Sequence, residues 1–447
     1  MSTQARSELP PGLPPGADLP RSRQTARWIA RPVRFLQSLQ QRHGDVFTLH
    51  LLQEPPWVMV ADPELVRQIF TAPADVLHAG SQKRILEPVL GSHSVLLSDG
   101  EIHMHRRKLL LPPFQHGRLA GYEQAMRSTA EAEIDRWPLG TPGPAAPRMS
   151  EIALGVIMTA VFGRRQESRL APLREAIERL VAYLETPSAL VALGERSRLD
   201  EERFAGLPEL LSRVDELLFA EIDHRRRHRA PANDVLSFLL EATGDDGSAI
   251  SDQELRDELM TLIIAGHETT ATSLSWAIER LARSPQALNR ATDEAADGGG
   301  PYTDAVVQET LRLRSPFMVV PRMVMKPFQL GDLAIPLGVA VTPAIPLVHR
   351  RPDVYPDPDE FRPERFLECP PGTYTWIPFG GGVRRCLGAG FSLLEMRVVL
   401  STLLSRMRIR AVDPVPEREA RRLLVMSPAR GAEVVLEPRH GSTIPER

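Results

Sequence analysis

Apolar positions along the 447-residue chain change period twice. Near the N-terminus, Asp45–Leu52 (DVFTLHLL) and Trp57–Ala61 (WVMVA) are short runs rich in β-branched and aromatic residues. Joined through Glu54-Pro55-Pro56, they predict a pair of strands with a turn between them. Asp62-Pro63-Glu64 then reads as a helix start, with a capping carboxylate, a proline in the first turn and an early acid. From about residue 101 to 281 the spacing becomes three and four, as in Leu210, Leu211, Val214, Leu217 and Leu218, and predicts mostly helix. Within it, Ser251 and Glu254 form a capping-box pattern at the head of a long helix running to about Arg283. From about Lys326 to Pro371, short β-type runs alternate with proline and glycine. A strong helix follows from about Ala389 to Arg406, and the tail from Leu423 to Leu436 reads as a hairpin turning at Pro428–Gly431. With no repeat and no clear linker, the pattern predicts a mainly α fold with a smaller β-rich portion drawn from both ends. Residues 21–447 form one domain behind a loosely ordered, proline-rich leader, 1–20.

Composition narrows the function classes. Charged residues make up 25%, hydrophobic ones 42%, and the formal net charge is -3, which fits a globular chain and gives no sign of nucleic-acid binding. The longest uncharged stretch, Leu333–Val348, is broken by Pro336, Gly338, Pro343 and Pro346, so no membrane span is expected. Basic charge is carried almost wholly by arginine, which suits bidentate contacts to carboxylates, although a general compositional bias explains it equally well. Cys369 and Cys386 are the only cysteines, which excludes a disulfide framework and a four-cysteine zinc site and fits a reducing cytoplasm.

The two cysteines have different settings. Cys369 falls in an unremarked Glu-Cys-Pro-Pro and reads as structural or surface. Cys386 lies in Trp376-Ile-Pro-Phe-Gly-Gly-Gly-Val-Arg-Arg-Cys-Leu-Gly-Ala-Gly390, a glycine-rich loop directly before a helix. A helix N-terminus and flanking arginines favour the thiolate, which is the metal-binding form. The glycines of the loop allow close backbone approach to a flat ligand and amide hydrogen bonds to sulfur.

This segment resembles the cysteine signature of the cytochrome P-450 superfamily, Phe-x-x-Gly-x-Arg-x-Cys-x-Gly, at Phe379, Gly382, Arg384, Cys386 and Gly388. The rest of the chain carries the family's other motifs in order. Glu309-Thr-Leu-Arg312 matches its Glu-x-x-Arg, and Pro363-Glu-Arg365-Phe its Pro-Glu-Arg-Phe, which implies a triad of Glu309, Arg312 and Arg365 that locks the cysteine loop to the helical body. Ala265-Gly266-His-Glu268-Thr269-Thr270 matches the oxygen-activation motif. By that resemblance Ala265 and Gly266 leave room over a haem, and Glu268 and Thr269 relay protons. His103 and Arg107 lie four apart on one helix face. With Arg322 and Arg384 they match positions that bind haem propionates.

The resemblance implies a triangular helical body that encloses haem b between the long helix and the cysteine loop and helix. Cys386 is the implied iron ligand, and O2 the co-substrate. The implied reaction is hydroxylation or epoxidation of a hydrophobic small molecule such as a terpenoid, steroid or fatty acid. The pocket would be lined by Val95, Leu96, Leu262, Ala265, Phe317, Met318, Val319 and Met426. Electrons would come from a separate ferredoxin or flavodoxin with its reductase, docking on a basic face near Arg106, Lys108 and Arg385 of a monomer. Two alternatives compete: a haem-thiolate peroxygenase or isomerase, and a non-catalytic haem-binding protein. The intact Glu268–Thr269 pair and open Ala265-Gly266 argue against them.

Overall fold

The start of the first described β-hairpin shows how local chemistry sets the architecture. In this computed structural model, which describes residues 12–164, 167–186, 206–228, 234–243, 249–422 and 424–439, β1 (Val46–Leu49) pairs antiparallel with β2 (Trp57–Val60). Asp62 then caps the helix Pro63–Thr71, accepting from the backbone N–H groups of Glu64 and Leu65 at 2.9 Å. The hairpin is the edge of a five-stranded sheet completed by the nearby β3 (Leu77–His78) and, from far along the chain, by β5 (Arg322–Val324) and β8 (Ala340–Pro343), in the order β1-β2-β8-β5-β3; between β5 and β8, β6 (Phe328–Leu330) and β7 (Leu333–Ile335) pair as a separate hairpin. Only β2 and β8 are parallel there, Trp57 facing Ala340 and Val60 facing Pro343. Leader residues 12–20 are held against this sheet: Thr48 donates through its N–H to Pro15 O at 3.0 Å and through its hydroxyl to Pro14 O at 2.7 Å. Residues 1–11 of the leader lie outside the described residues.

The helical body is organised by the helix Asp252–Ala282. Its capping box forms as the sequence implies, Ser251 and Glu254 each bonding the other's backbone N–H. It is buried on nearly all sides, which is why it shows no simple apolar stripe. Against it pack Ala146–Phe162, Leu207–Arg227, Pro301–Leu313 and Ala389–Arg406. The last of these also rests on His116–Ile134 and Pro285–Ala295, so the helix that follows Cys386 is set in the centre of the body. No helix among the described residues is long and apolar enough to cross a membrane.

The tail departs from the expected hairpin. β10 (Glu419–Arg422) and β11 (Val425–Pro428) pair with each other, with Arg421 opposite Met426. A turn does close at Pro428–Gly431, but Gly431 and Ala432 both take positive φ, 76° and 59°, and send the chain to a different sheet. There β12 (Glu433–Pro438) pairs with β9 (Met407–Ala411) and β4 (Gly143–Pro144). The far edge of β11 is already taken. Met426 donates its N–H to Pro316 O at 2.9 Å and accepts from Trp276 Nε1 at 2.8 Å, which leaves no edge for β12.

Candidate active site

The cysteine loop is shaped by what lies under it. Gly382 has φ +64, and a Cβ there would meet the backbone oxygen of Phe70 at 1.9 Å; a Cβ on Gly381 would strike the Phe70 ring at 2.1 Å. At Gly381 and Gly382 the close approach is to the helix Pro63–Thr71. Cys386 N–H closes the loop on Phe379 O at 3.0 Å. Gly388, which is open to space, directs its amide at the sulfur, while Arg107, Arg385 and Lys83 act in the same sense and favour the thiolate. Burial of the sulfur outweighs them and pushes the thiol up, although the residue as a whole is exposed. Cys369 is exposed, its sulfur near only its neighbour's carbonyl.

Glu309, Arg312 and Arg365 come together as a buried triad. Arg312 grips Glu309 with Nε at 2.6 Å and Nη2 at 2.9 Å, Arg365 Nε adds a contact at 3.2 Å, and Arg362 N–H adds another at 2.8 Å. Sequence reasoning missed the residue that connects this triad to the cysteine loop. His349 gives its own carbonyl to Arg312 Nη1 at 2.8 Å, and its ring spans Arg312 O (Nδ1, 3.0 Å) and Ile377 N (Nε2, 2.8 Å). That geometry demands a neutral ring, with the proton on Nδ1 and Nε2 accepting. Burial supports it, pushing the ring down to about 3. The signal was present, since Ile377 lies two residues before Phe379, but nothing in sequence joins it to a histidine 28 positions away.

The cations proposed for propionates converge. His103 is buried with Nδ1 unpartnered among the described residues, and burial, then Arg384 and Arg107, push it down to about 3. Arg107 reaches Arg385 O at 2.7 Å. Arg384 binds Asp99 and the carbonyls of Ser98 and Val95. Arg322 is buried with, among the described residues, a hydrogen bond to its neighbour's carbonyl, Pro321 O at 3.0 Å, and its Cζ 5.9 Å from the Phe70 ring centroid; it is pushed down to about 10 by burial, then by Arg384. A fifth cation, Lys83, was not foreseen; burial, then Arg322 and Arg384, push it down to about 7. It escaped notice because its segment carries no motif. Mutual repulsion of this kind is relieved by anions, so one Asp99 among five cationic or potentially cationic groups fits a doubly charged ligand such as the two propionates of haem. Arg106, expected on the basic outer face, instead turns inward to Ser98, while Lys108 and Arg385 remain exposed.

On the long helix the motif divides by face. Leu262, Ala265 and Thr269 recur on one side, and Thr269 Oγ1 bonds back to Ala265 O at 2.7 Å. At Gly266 a Cβ would meet Ile157 Cδ1 at 3.1 Å, so the glycine allows close packing against Ala146–Phe162. His267 follows it to that side, with Nε2 at 2.7 Å from Ser150 Oγ. Glu268 lines a small cavity with Val181, Leu184, Glu185, Ile264, His267 and Arg422. Its carboxyl is raised to about 8 by burial, then by Glu185, and accepts from Thr272 Oγ1 at 3.4 Å. Glu268 and Thr269 thus bind different partners. Thr270 Oγ1 meets Ser392 Oγ at 3.2 Å and fixes the long helix against the cysteine helix.

The apolar residues expected to line the pocket fall into three packing groups. Val95, Leu96 and Leu262 belong to the helical core, with Val95 N–H donating to Glu258 Oε2 at 3.2 Å. Met318, Val319 and Met426 gather with Trp28 and Trp57. Phe317 packs instead on the core of the five-stranded sheet beside Phe70, because neighbouring side chains of an extended segment point to opposite sides.

Comparison with known proteins agrees with this arrangement. The family model for cytochrome P450 matches residues 22–435. Cytochrome P450 135B1 of Mycobacterium tuberculosis is 40% identical over 431 residues, covering 95% of this chain and 91% of the relative. Cytochrome P450 137 of the same organism is 36% identical over 437 residues, covering 96% and 92%. Among solved structures, retinoic acid-bound cyanobacterial CYP120A1 superposes with a TM-score of 0.83 at 24% identity, covering 96% of this chain and 100% of that one. The heme domain of cytochrome P450DA gives 0.83 at 23% identity, covering 96% and 98%. With its cysteine loop, buried triad and cation cluster in one fold, and with relatives matching over nearly its full length, the chain belongs to the cytochrome P450 family of haem-dependent monooxygenases.

Proposed function

We propose that the chain binds haem b through Cys386 and hydroxylates or epoxidises a hydrophobic small molecule of terpenoid, steroid or fatty-acid type. It does so in the reducing cytoplasm, with electrons from a ferredoxin or flavodoxin and its reductase. One observation carries the reading: an acid-poor cluster of Lys83, His103, Arg107, Arg322 and Arg384 lies beside the amide-backed thiol of Cys386. When bound, haem supplies the activation of dioxygen. The chain's own residues do the rest. Cys386 holds the iron, and the cations clamp the propionates. Glu309, Arg312, Arg365 and His349 keep the cysteine loop in place. Thr269 presents a hydroxyl on the face shared with Ala265 and Leu262, and Glu268, protonated at neutral pH, stores a proton one residue away. Exposed Lys108 and Arg385 offer a cationic face to an acidic electron donor.

A spin-shift screen of terpenes, steroids and fatty acids against the haem-loaded protein supplies a binder for the test. With ferredoxin and reductase present, one oxygen atom from 18O2 is expected in the product, and Thr269→Ala is expected to consume oxygen with less product. Absence of label from every binder would contradict the proposal.

A further inference from the structure

One half-buried cation remains without a role. Arg421 on β10 has Nε and Nη2 enclosed and without a hydrogen-bond partner among the described residues. Burial pushes the guanidinium down, and no acid offsets it. It stands against an aromatic face, with Cζ 5.4 Å from the Trp28 ring centroid. Arg322 is another arginine described above without a carboxylate, and its position is that of a propionate clamp. A charge left like this costs stability unless something pairs with it.

The unpartnered atoms specify the ligand. Nε and Nη2 form one edge of a guanidinium, the same edge with which Arg312 holds both oxygens of Glu309. That edge is a two-point fork for a carboxylate. Among the described residues no hydrogen bond holds Nε or Nη2, and the residue is only half-buried, so the side chain can turn away from Trp28 to meet a partner. Its surroundings specify the remainder of the ligand. Arg421 stands opposite Met426, which packs in one apolar cluster with Met318, Val319, Trp28 and Trp57. The long helix and Pro316 pin Met426 by its backbone, so the fork has a fixed base. Arg422, the next residue, faces the opposite side of the hairpin, towards Glu185 at 4.0 Å, and is already engaged.

We infer that Arg421 is a carboxylate-binding residue, and that the substrates of this enzyme are amphipathic carboxylic acids whose apolar body lies along Met318, Val319 and Met426. The inference rests on the monooxygenase reading and selects one chemical class within it.

The test uses haem-loaded protein titrated with decanoic, dodecanoic and hexadecanoic acids, and with the methyl esters of the same acids. Binding is followed by spin-state shift and by tryptophan fluorescence, which Trp28 should report. At least one acid is expected to bind wild type tenfold or more tightly than its ester. Arg421→Gln should remove that preference while changing ester affinity less than twofold, and Arg421→Lys, which keeps charge without the fork, should fall between and guards against a misfolded Gln variant. Arg422→Gln should retain the preference. Equal affinity for acids and esters, absence of binding by any acid, or a preference that survives Arg421→Gln would overturn the assignment. A normal reduced carbon monoxide spectrum in the same samples separates that failure from a failure of the haem-thiolate reading.

Discussion

Replacing Glu309 by glutamine tests the load carried by the buried triad. The carboxylate accepts four N–H groups, from Arg312 twice, Arg365 and Arg362, and it is fully enclosed. Glutamine keeps the volume, removes the charge and turns an NH2 group towards donors. Breaking a buried ion pair in this way costs about 3–5 kcal/mol, because the remaining guanidinium charge stays buried. Unfolding entropy of about 2 cal/mol/K per residue gives roughly 0.9 kcal/mol/K for this chain, so Tm should fall by about 3–6 °C. Because His349 joins Arg312 to Ile377, the loss should also loosen the cysteine loop. Glu309→Gln is therefore expected to melt earlier and to lose its thiolate-type reduced carbon monoxide band faster on mild warming. Thermal melting by circular dichroism and the spectrum on the same sample give both readings. A Tm within about 1 °C of wild type with an equally durable band would refute the reasoning that the triad fixes the loop.

Gly266→Ala should destabilise by about 1 kcal/mol, since crowding against Ile157 outweighs the gain in helix propensity. In an Ile157→Ala background it should become stabilising, and an equal loss in both backgrounds by urea unfolding would remove the packing explanation. Glu268 has a folded pKa of about 8, raised above its unfolded value of 4.5, so its contribution is fully present below about pH 4.5 and is lost as pH rises through about 8. Glu268→Gln should therefore gain stability relative to wild type as pH rises from 5 to 8, measured as a difference in Tm; a flat difference would mean the group ionises normally. Lys83→Gln should speed haem transfer to apomyoglobin by about tenfold through loss of a charge-assisted contact, and an unchanged rate would place Lys83 outside the cofactor site.

Much of the architecture was legible because it is written locally. The capping box at Ser251 and Glu254 and the cap at Asp62 depend on residues two or three apart, and the structure forms both. The triad could be named because each of its members sits in a recognisable short motif. What sequence did not reveal depends on direction and on distance along the chain. Ala265, Gly266, His267, Glu268 and Thr269 are consecutive, yet successive helical positions are about 100° apart and serve different neighbours. Gly266 therefore belongs to Ile157, and Glu268 to Glu185 and Arg422. The tail turn was found, but its partners were not, because β12 seeks strands β4 and β9, which lie elsewhere in the sequence. Lys83 and His349 carry no motif; only the fold brings them to the cluster and to the loop.

The most direct test of Cys386 as the haem ligand is the reduced, carbon monoxide-bound absorption spectrum of wild type, Cys386→Ala and Cys369→Ala. Wild type and Cys369→Ala are expected to show the strongly red-shifted Soret band of thiolate-ligated haem, and Cys386→Ala to lack it. A red-shifted band that persists in Cys386→Ala, or is missing from haem-loaded wild type, would contradict the assignment.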